Sequence, residues 1–121
     1  MKSILLIEDS PVLLENTAEI LTLANYKVFS TANSKEGIGI AIRKRLDLII
    51  IDMKMADIEG HELLKAIRCS QGMGKTPMIF LAETTEKSCT KQDLVGFDDA
   101  LLAKPFDGDQ LLHAVGRYLQ N

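Results

Sequence analysis

The chain is poor in the features that mark secreted, nucleic-acid-binding and membrane-spanning proteins. It has 2 cysteines in 121 residues, Cys69 and Cys89, with neither a CxxC spacing nor a histidine pattern nearby. That excludes a disulfide framework and a zinc site from the working picture and leaves two reduced bystander thiols. Its 14 lysines and arginines are outnumbered by 17 acidic residues, and no basic run or stripe stands out. Nucleic-acid binding by this chain alone is therefore not expected. Every apolar run is a short, strand-like piece, far below the ~20 residues of a membrane span. The opening Met1-Lys2-Ser3 passes straight into a strand pattern with no signal-peptide cleavage region, which reads as cytoplasmic. There is no internal repeat, linker or low-complexity tract. What remains is an ordinary globular composition, 46% apolar and 26% charged, in a length that suits one domain, residues 1–121.

Against that background one stretch stands out. Leu48-Ile49-Ile50-Ile51 is a strand buried on both faces, and it ends on Asp52. Ile4-Leu5-Leu6-Ile7 runs likewise into Glu8-Asp9, and Ala100-Leu101-Leu102-Ala103 into Lys104-Pro105. Ligands in open parallel α/β sheets collect just outside the carboxyl ends of the strands. If these three strands lie side by side, three carboxylates and one ammonium meet at one edge.

The intervening residues read as alternating strands and helices. Strand 3–8 is followed by a helix that Ser10 caps and Pro11 opens, with Leu13, Leu14, Ala18, Leu21 and Ala24 as its apolar stripe to about Asn25. Residues 26–31 form a second strand. Asn33 and Glu36 stand at capping-box spacing for a helix over 34–45, with Ile38, Ala41 and Ile42 inward and Arg43-Lys44-Arg45 at the negative pole of its dipole. The third strand is 47–52, a third helix covers about 60–70, and Pro77 opens a fourth strand, 78–82. The polar run 86–93 supports only a short, poorly anchored fourth helix. A turn at Asp98-Asp99 leads into a fifth strand, about 99–103. Asp107 and Gln110 then form a capping box for a last helix with Leu111, Leu112, Val115, Tyr118 and Leu119 inward. The expected architecture is α/β: five βα units, a doubly wound five-stranded parallel sheet with helices on both faces and the flavodoxin-like order 2-1-3-4-5.

Several carboxylates at one site either take up protons or hold a cation. All-oxygen donors suit Mg²⁺, which binds through one or two carboxylates plus phosphate oxygens. An aspartate, a hard cation and a lysine are the parts needed to accept a phosphoryl group, with the carboxylate as nucleophile and the cations neutralising the phosphoryl oxygens. Other candidate motifs do not compete. Gly74-Lys75-Thr76 lacks the first glycine of a P-loop, Cys69 standing in its place, and leads from helix to strand. His61 and His113 have no partner at ligand spacing and read as solvent-facing. A flavin or nucleotide site needs a glycine- and hydroxyl-rich loop after the first strand, where two carboxylates stand instead. No second acid–base pair or nucleophile suggests a turnover enzyme.

Glu8-Asp9, Asp52 and Lys104-Pro105-Phe106, in this order and spacing, resemble the receiver domain of two-component response regulators, and the resemblance covers the whole chain. The tract Asp52-Met53-Lys54-Met55-Ala56-Asp57-Ile58-Glu59-Gly60 is similar to that family's loop after the phosphoacceptor. The resemblance implies that Asp52 is phosphorylated by a histidine kinase or histidine phosphotransfer protein. It implies that Asp9, Asp52 and the backbone carbonyl of Lys54 hold Mg²⁺, with Glu8 acting mainly through a metal-bound water, and that Lys104 contacts the phosphoryl group. It also implies a cis Lys104–Pro105 bond.

Three positions depart from the family pattern. Ala82 stands where the family usually has Thr or Ser, Leu101 (or Ala100) where it usually has an aromatic residue, and Ala56 where it usually has Pro. The first two remove the paired switch that couples phosphorylation to a partner surface. An alternative function follows: a phosphorylation-uncoupled receiver acting as a protein-interaction module. With no residues after Asn121 for an output domain, the expectation is a stand-alone regulator, a phosphate shuttle or sink, or a piece of a longer protein. Ser10, Pro11 and Val12 beside the site are candidates for partner contact.

Overall fold

The computed structural model describes residues 1–52, 76–83 and 99–119. Its strands are β1 (Ser3–Ile7), β2 (Lys27–Thr31), β3 (Leu48–Asp52), β4 (Met78–Glu83) and β5 (Asp99–Lys104). Its helices are α1 (Pro11–Leu23), α2 (Ser34–Arg43) and the C-terminal α3 (Gly108–Gly116). The five strands form one all-parallel sheet in the order β2-β1-β3-β4-β5, as expected. The expected helices at 60–70 and within 83–96 lie outside the described residues.

Alternation along the buried strands divides the core into two layers. Leu5, Ile7, Ile49, Ile51, Met78, Phe80 and Ala82 face one way and pack with Ala41 and Leu46, with Phe29, Ile38 and Ile40 at the margin. Ile4, Leu6, Leu48, Ile50, Ile79 and Leu81 face the other way, against Leu21 of α1 and Leu111 and Val115 of α3. Ile4–Ile7 and Leu48–Ile51 are wholly excluded from solvent.

The helix ends follow local chemistry. Ser10 caps α1, accepting from the Leu13 N–H at 3.4 Å with Pro11 at the first helical position, and Asn25 after the helix takes a left-handed φ of 72°. Asp107 and Gln110 form the full reciprocal box, at 2.7 and 2.9 Å. At α2 only half of the expected box forms: Asn33 accepts from the Glu36 N–H at 2.9 Å. The Lys104–Pro105 peptide bond is cis, as expected.

Several expectations are corrected. Ile42 is 60% exposed, so the buried face of α2 is Ser34, Gly37 and Ala41. Gly37 is there for packing: a Cβ on it would stand 2.5 Å from Ile7 Cδ1 and 2.9 Å from Cγ1. Thr17 is buried on α1, where it lies on the same face as Leu14 and Leu21 although it is not apolar. Asp99 belongs to β5, opposite Met78, and is not a turn residue. Helix α3 stops at Gly116, yet Leu119 beyond it is still buried in the core. Element ends elsewhere shift by one or two residues, because capping and pairing decide them rather than apolar period.

Candidate phosphoryl-acceptor site

The register of the sheet builds the site. Ile7 of β1 pairs with Ile51 of β3, so the next residues, Glu8 and Asp52, emerge side by side. Glu8 still donates its backbone N–H to Thr31 O at 3.1 Å, which holds it at the sheet end rather than in a free loop. Lys104 closes β5, level with Glu83 of β4. By alternation Glu8, Asp52 and Lys104 continue the rows of Leu6, Ile50 and Leu102, which belong to one face of the sheet.

The lysine side chain spans the end of β4 and bridges the two acids. Lys104 Nζ lies 3.0 Å from Glu8 Oε1 and 3.2 Å from Asp52 Oδ1. The Glu8 and Asp52 side chains are 1% and 4% exposed, and that of Lys104 17%. Asp9, the next residue after Glu8, is exposed, yet Glu8, Asp9 and Asp52 each place a carboxylate oxygen within 4.8 Å of the other two. All four side chains expected at one edge are thus together. The fifth expected contributor, the Lys54 carbonyl, lies outside the described residues, as does Ala56.

Burial dominates the electrostatics. It pushes the Glu8 carboxyl from 4.5 up to about 8; neighbouring Asp52 adds to the shift and Lys104 pulls against it. Asp9 is also raised, by burial first and then by Asp52. Burial alone would lower the Lys104 ammonium, but its hydrogen bond to Glu8 and the charges of Asp52 and Glu8 outweigh that and hold it above 10.5. Among the described residues Glu8 Oε2 is buried with no hydrogen-bond partner. Three clustered carboxylates, one with an orphaned oxygen and a raised pKa, fit a hard divalent cation such as Mg²⁺ through oxygen donors alone.

A profile of the response regulator receiver domain matches residues 4–116. The chain belongs to this family. It is 32% identical over 119 residues to the probable transcriptional regulator ycf29 of Pyropia yezoensis, a match covering 96% of this chain and 52% of that one. It is 33% identical to the response regulator ArlR of Staphylococcus aureus over 99% of this chain and 53% of that protein. The chain thus spans about half the length of the curated relatives it matches. Among solved structures, the Vibrio cholerae chemotaxis response regulator CheY4 superposes with a TM-score of 0.88 at 31% identity, covering 98% of this chain and 99% of that chain. The receiver domain of sensor histidine kinase PA1611 from Pseudomonas aeruginosa, solved with a magnesium ion coordinated in its active-site cleft, superposes at 0.85 and 28% identity, covering 97% and 96%. The fold is therefore the flavodoxin-like receiver fold, and the family is one of phosphoacceptors in two-component signalling rather than of turnover enzymes. No helix among the described residues is long and apolar enough to cross a membrane.

Two of the atypical positions are described. Ala82, 4% exposed, lies one residue beyond the Leu81 that pairs with Asp52, and its own register partner is Ala103. Leu101, on β5 opposite Phe80, is 48% exposed.

Proposed function

We propose that Asp52 accepts a phosphoryl group from the phosphohistidine of a histidine kinase or histidine phosphotransfer protein. The observation that carries this is Lys104 held between two buried carboxylates, one of them at the end of β3. In the transfer an Asp52 carboxylate oxygen attacks phosphorus, the new P–O bond forms as the P–N bond breaks, and histidine leaves as the neutral imidazole once protonated. Lys104, already 3.2 Å from Asp52 Oδ1, is placed to move onto a phosphoryl oxygen and neutralise its charge. Asp9 and Asp52 would hold Mg²⁺ with the Lys54 carbonyl, and Glu8 would act through a metal-bound water. When bound, the cation offsets charge on the phosphoryl oxygens. Water attacking the acyl phosphate then returns Asp52 and releases inorganic phosphate. Residues 1–121 act as one receiver domain in the cytoplasm.

The test is intact mass after incubation with phosphoramidate and Mg²⁺. A single phosphate adduct on the wild type is expected, with none on Asp52→Asn and none when the metal is chelated. An unmodified wild type that binds Mg²⁺ would sink the reading.

A second reading, a receiver whose partner surface ignores phosphorylation, is favoured by Ala82 and Leu101. Neither side chain has a hydroxyl to reach a phosphoryl group or a ring to reorient. This reading expects equal partner affinity before and after phosphorylation. A shift in amide resonances of β4 and β5 on phosphorylation would count against it.

A further inference from the structure

The outer strand β2 has β1 on one side only. Lys27 N–H bonds to Lys2 O at 2.9 Å and Thr31 O accepts from Glu8 N–H at 3.1 Å. Residues 27, 29 and 31 therefore direct their backbone groups toward β1, and the alternate residues Val28 and Ser30 direct theirs outward. Among the described residues no segment pairs with that edge. On one face of the same edge two lysines from different elements converge on one ring. Lys27 Nζ of β2 lies 5.4 Å from the centre of the Phe29 ring, and Lys44 Nζ, at the end of α2, lies 5.6 Å from it. Both lysines are exposed, as is neighbouring Arg43, and neither lysine forms an ion pair among the described residues.

We infer that the open edge of β2 docks an acidic, extended polypeptide segment as an additional strand. Its backbone would bond Val28 and Ser30, and its carboxylates would pair with Lys27 and Lys44. Each feature selects the occupant. Unpaired N–H and C=O groups in a row are completed by an extended backbone, which neither a nucleic acid nor a lipid surface supplies. Alternate side chains of such a strand lie on one face about 7 Å apart, a spacing suited to two ammonium groups that share a ring. A second copy of this chain is disfavoured, because β2 carries no acidic residue and edge-to-edge pairing would leave the lysines without carboxylates to meet.

The probe is a fluorescein-labelled peptide of alternating glutamate and valine, followed by anisotropy at low salt with the intact chain. The lysine-for-glutamate peptide is the control. The acidic peptide is expected to bind and the control not. Lys27→Glu combined with Lys44→Glu should weaken binding at least tenfold and leave phosphoryl acceptance at Asp52 intact. Ser30→Pro removes one outward N–H and no described internal bond, and should weaken binding about fivefold. In the unaltered protein, the amide resonances of Val28 and Ser30 should shift more than those of Lys27 and Phe29, a readout that needs no variant. The proposal is overturned if the acidic peptide does not bind, or if it binds without moving the Val28 and Ser30 amides. It is overturned equally if a DNA duplex or phosphatidylglycerol vesicles are bound through the lysines and the peptide is not.

Discussion

Lys104 and Lys27 stand near opposite ends of the same sheet and do different work. Lys104 is drawn out of water between two buried acids; Lys27 lies in solvent beside an aromatic ring. A charge pair that leaves water carries both a large attraction and a large desolvation cost, so breaking it is felt throughout the fold. A charge left in water contributes little to folding and is free to meet a partner. Burial, more than charge, separates the two lysines.

Replacing Lys104 with Met should break that contrast most severely. It leaves Glu8 and Asp52 buried without their cation, and urea unfolding at pH 8.5 should show a loss of about 3 kcal/mol along with loss of phosphoryl acceptance. At pH 6 the loss should shrink, because Glu8 can then hold a proton. Gly37→Ala tests the packing beneath the site. The gain in helix propensity, about 1 kcal/mol, is opposed by a clash with Ile7, which is wholly buried and cannot yield freely. A net destabilisation of about 1 kcal/mol is expected, whereas Gly39→Ala, whose Cβ would meet only Arg43 at 3.6 Å, should stabilise.

The pH dependence sharpens the comparison. In the folded, metal-free protein Glu8 keeps its proton up to about 8, whereas unfolded it releases it near 4.5. Between those values the folded state binds more protons, so this group's contribution to stability falls as pH rises. Mg²⁺ binding should strengthen over the same range, because the carboxyl must lose its proton to serve the cation. Glu8→Gln should flatten both trends; unfolding curves with chelator and Mg²⁺ titrations from pH 5.5 to 8.5 would show this. Charge reversal at Lys27 and Lys44 should have the smallest effect on stability, leaving the urea midpoint almost unchanged.

Much of the site could be read from the chain because its signals are local. Apolar runs that end in Glu8-Asp9, Asp52 and Lys104 announce strand ends, and the Ser10-Pro11 and Asp107–Gln110 signals place the helices that follow. Other features were not legible. Ile42 fits the inward period of α2 but faces solvent, because Gly37 lets the helix approach Ile7 along a different line. The basic edge did not stand out, since Lys27 and Lys44 are far apart in the chain and meet only over Phe29.

The sequence by itself determined the βα alternation, the two-sided burial of β1 and β3, and which residue types gather at the strand ends. Those follow from hydrophobic period and capping, which act over a few residues. The tertiary structure decided that Glu8 is buried while its neighbour Asp9 is exposed, and that Lys104 lies between Glu8 and Asp52. Those depend on strand order and register across 96 positions of chain, and on burial that no local pattern encodes.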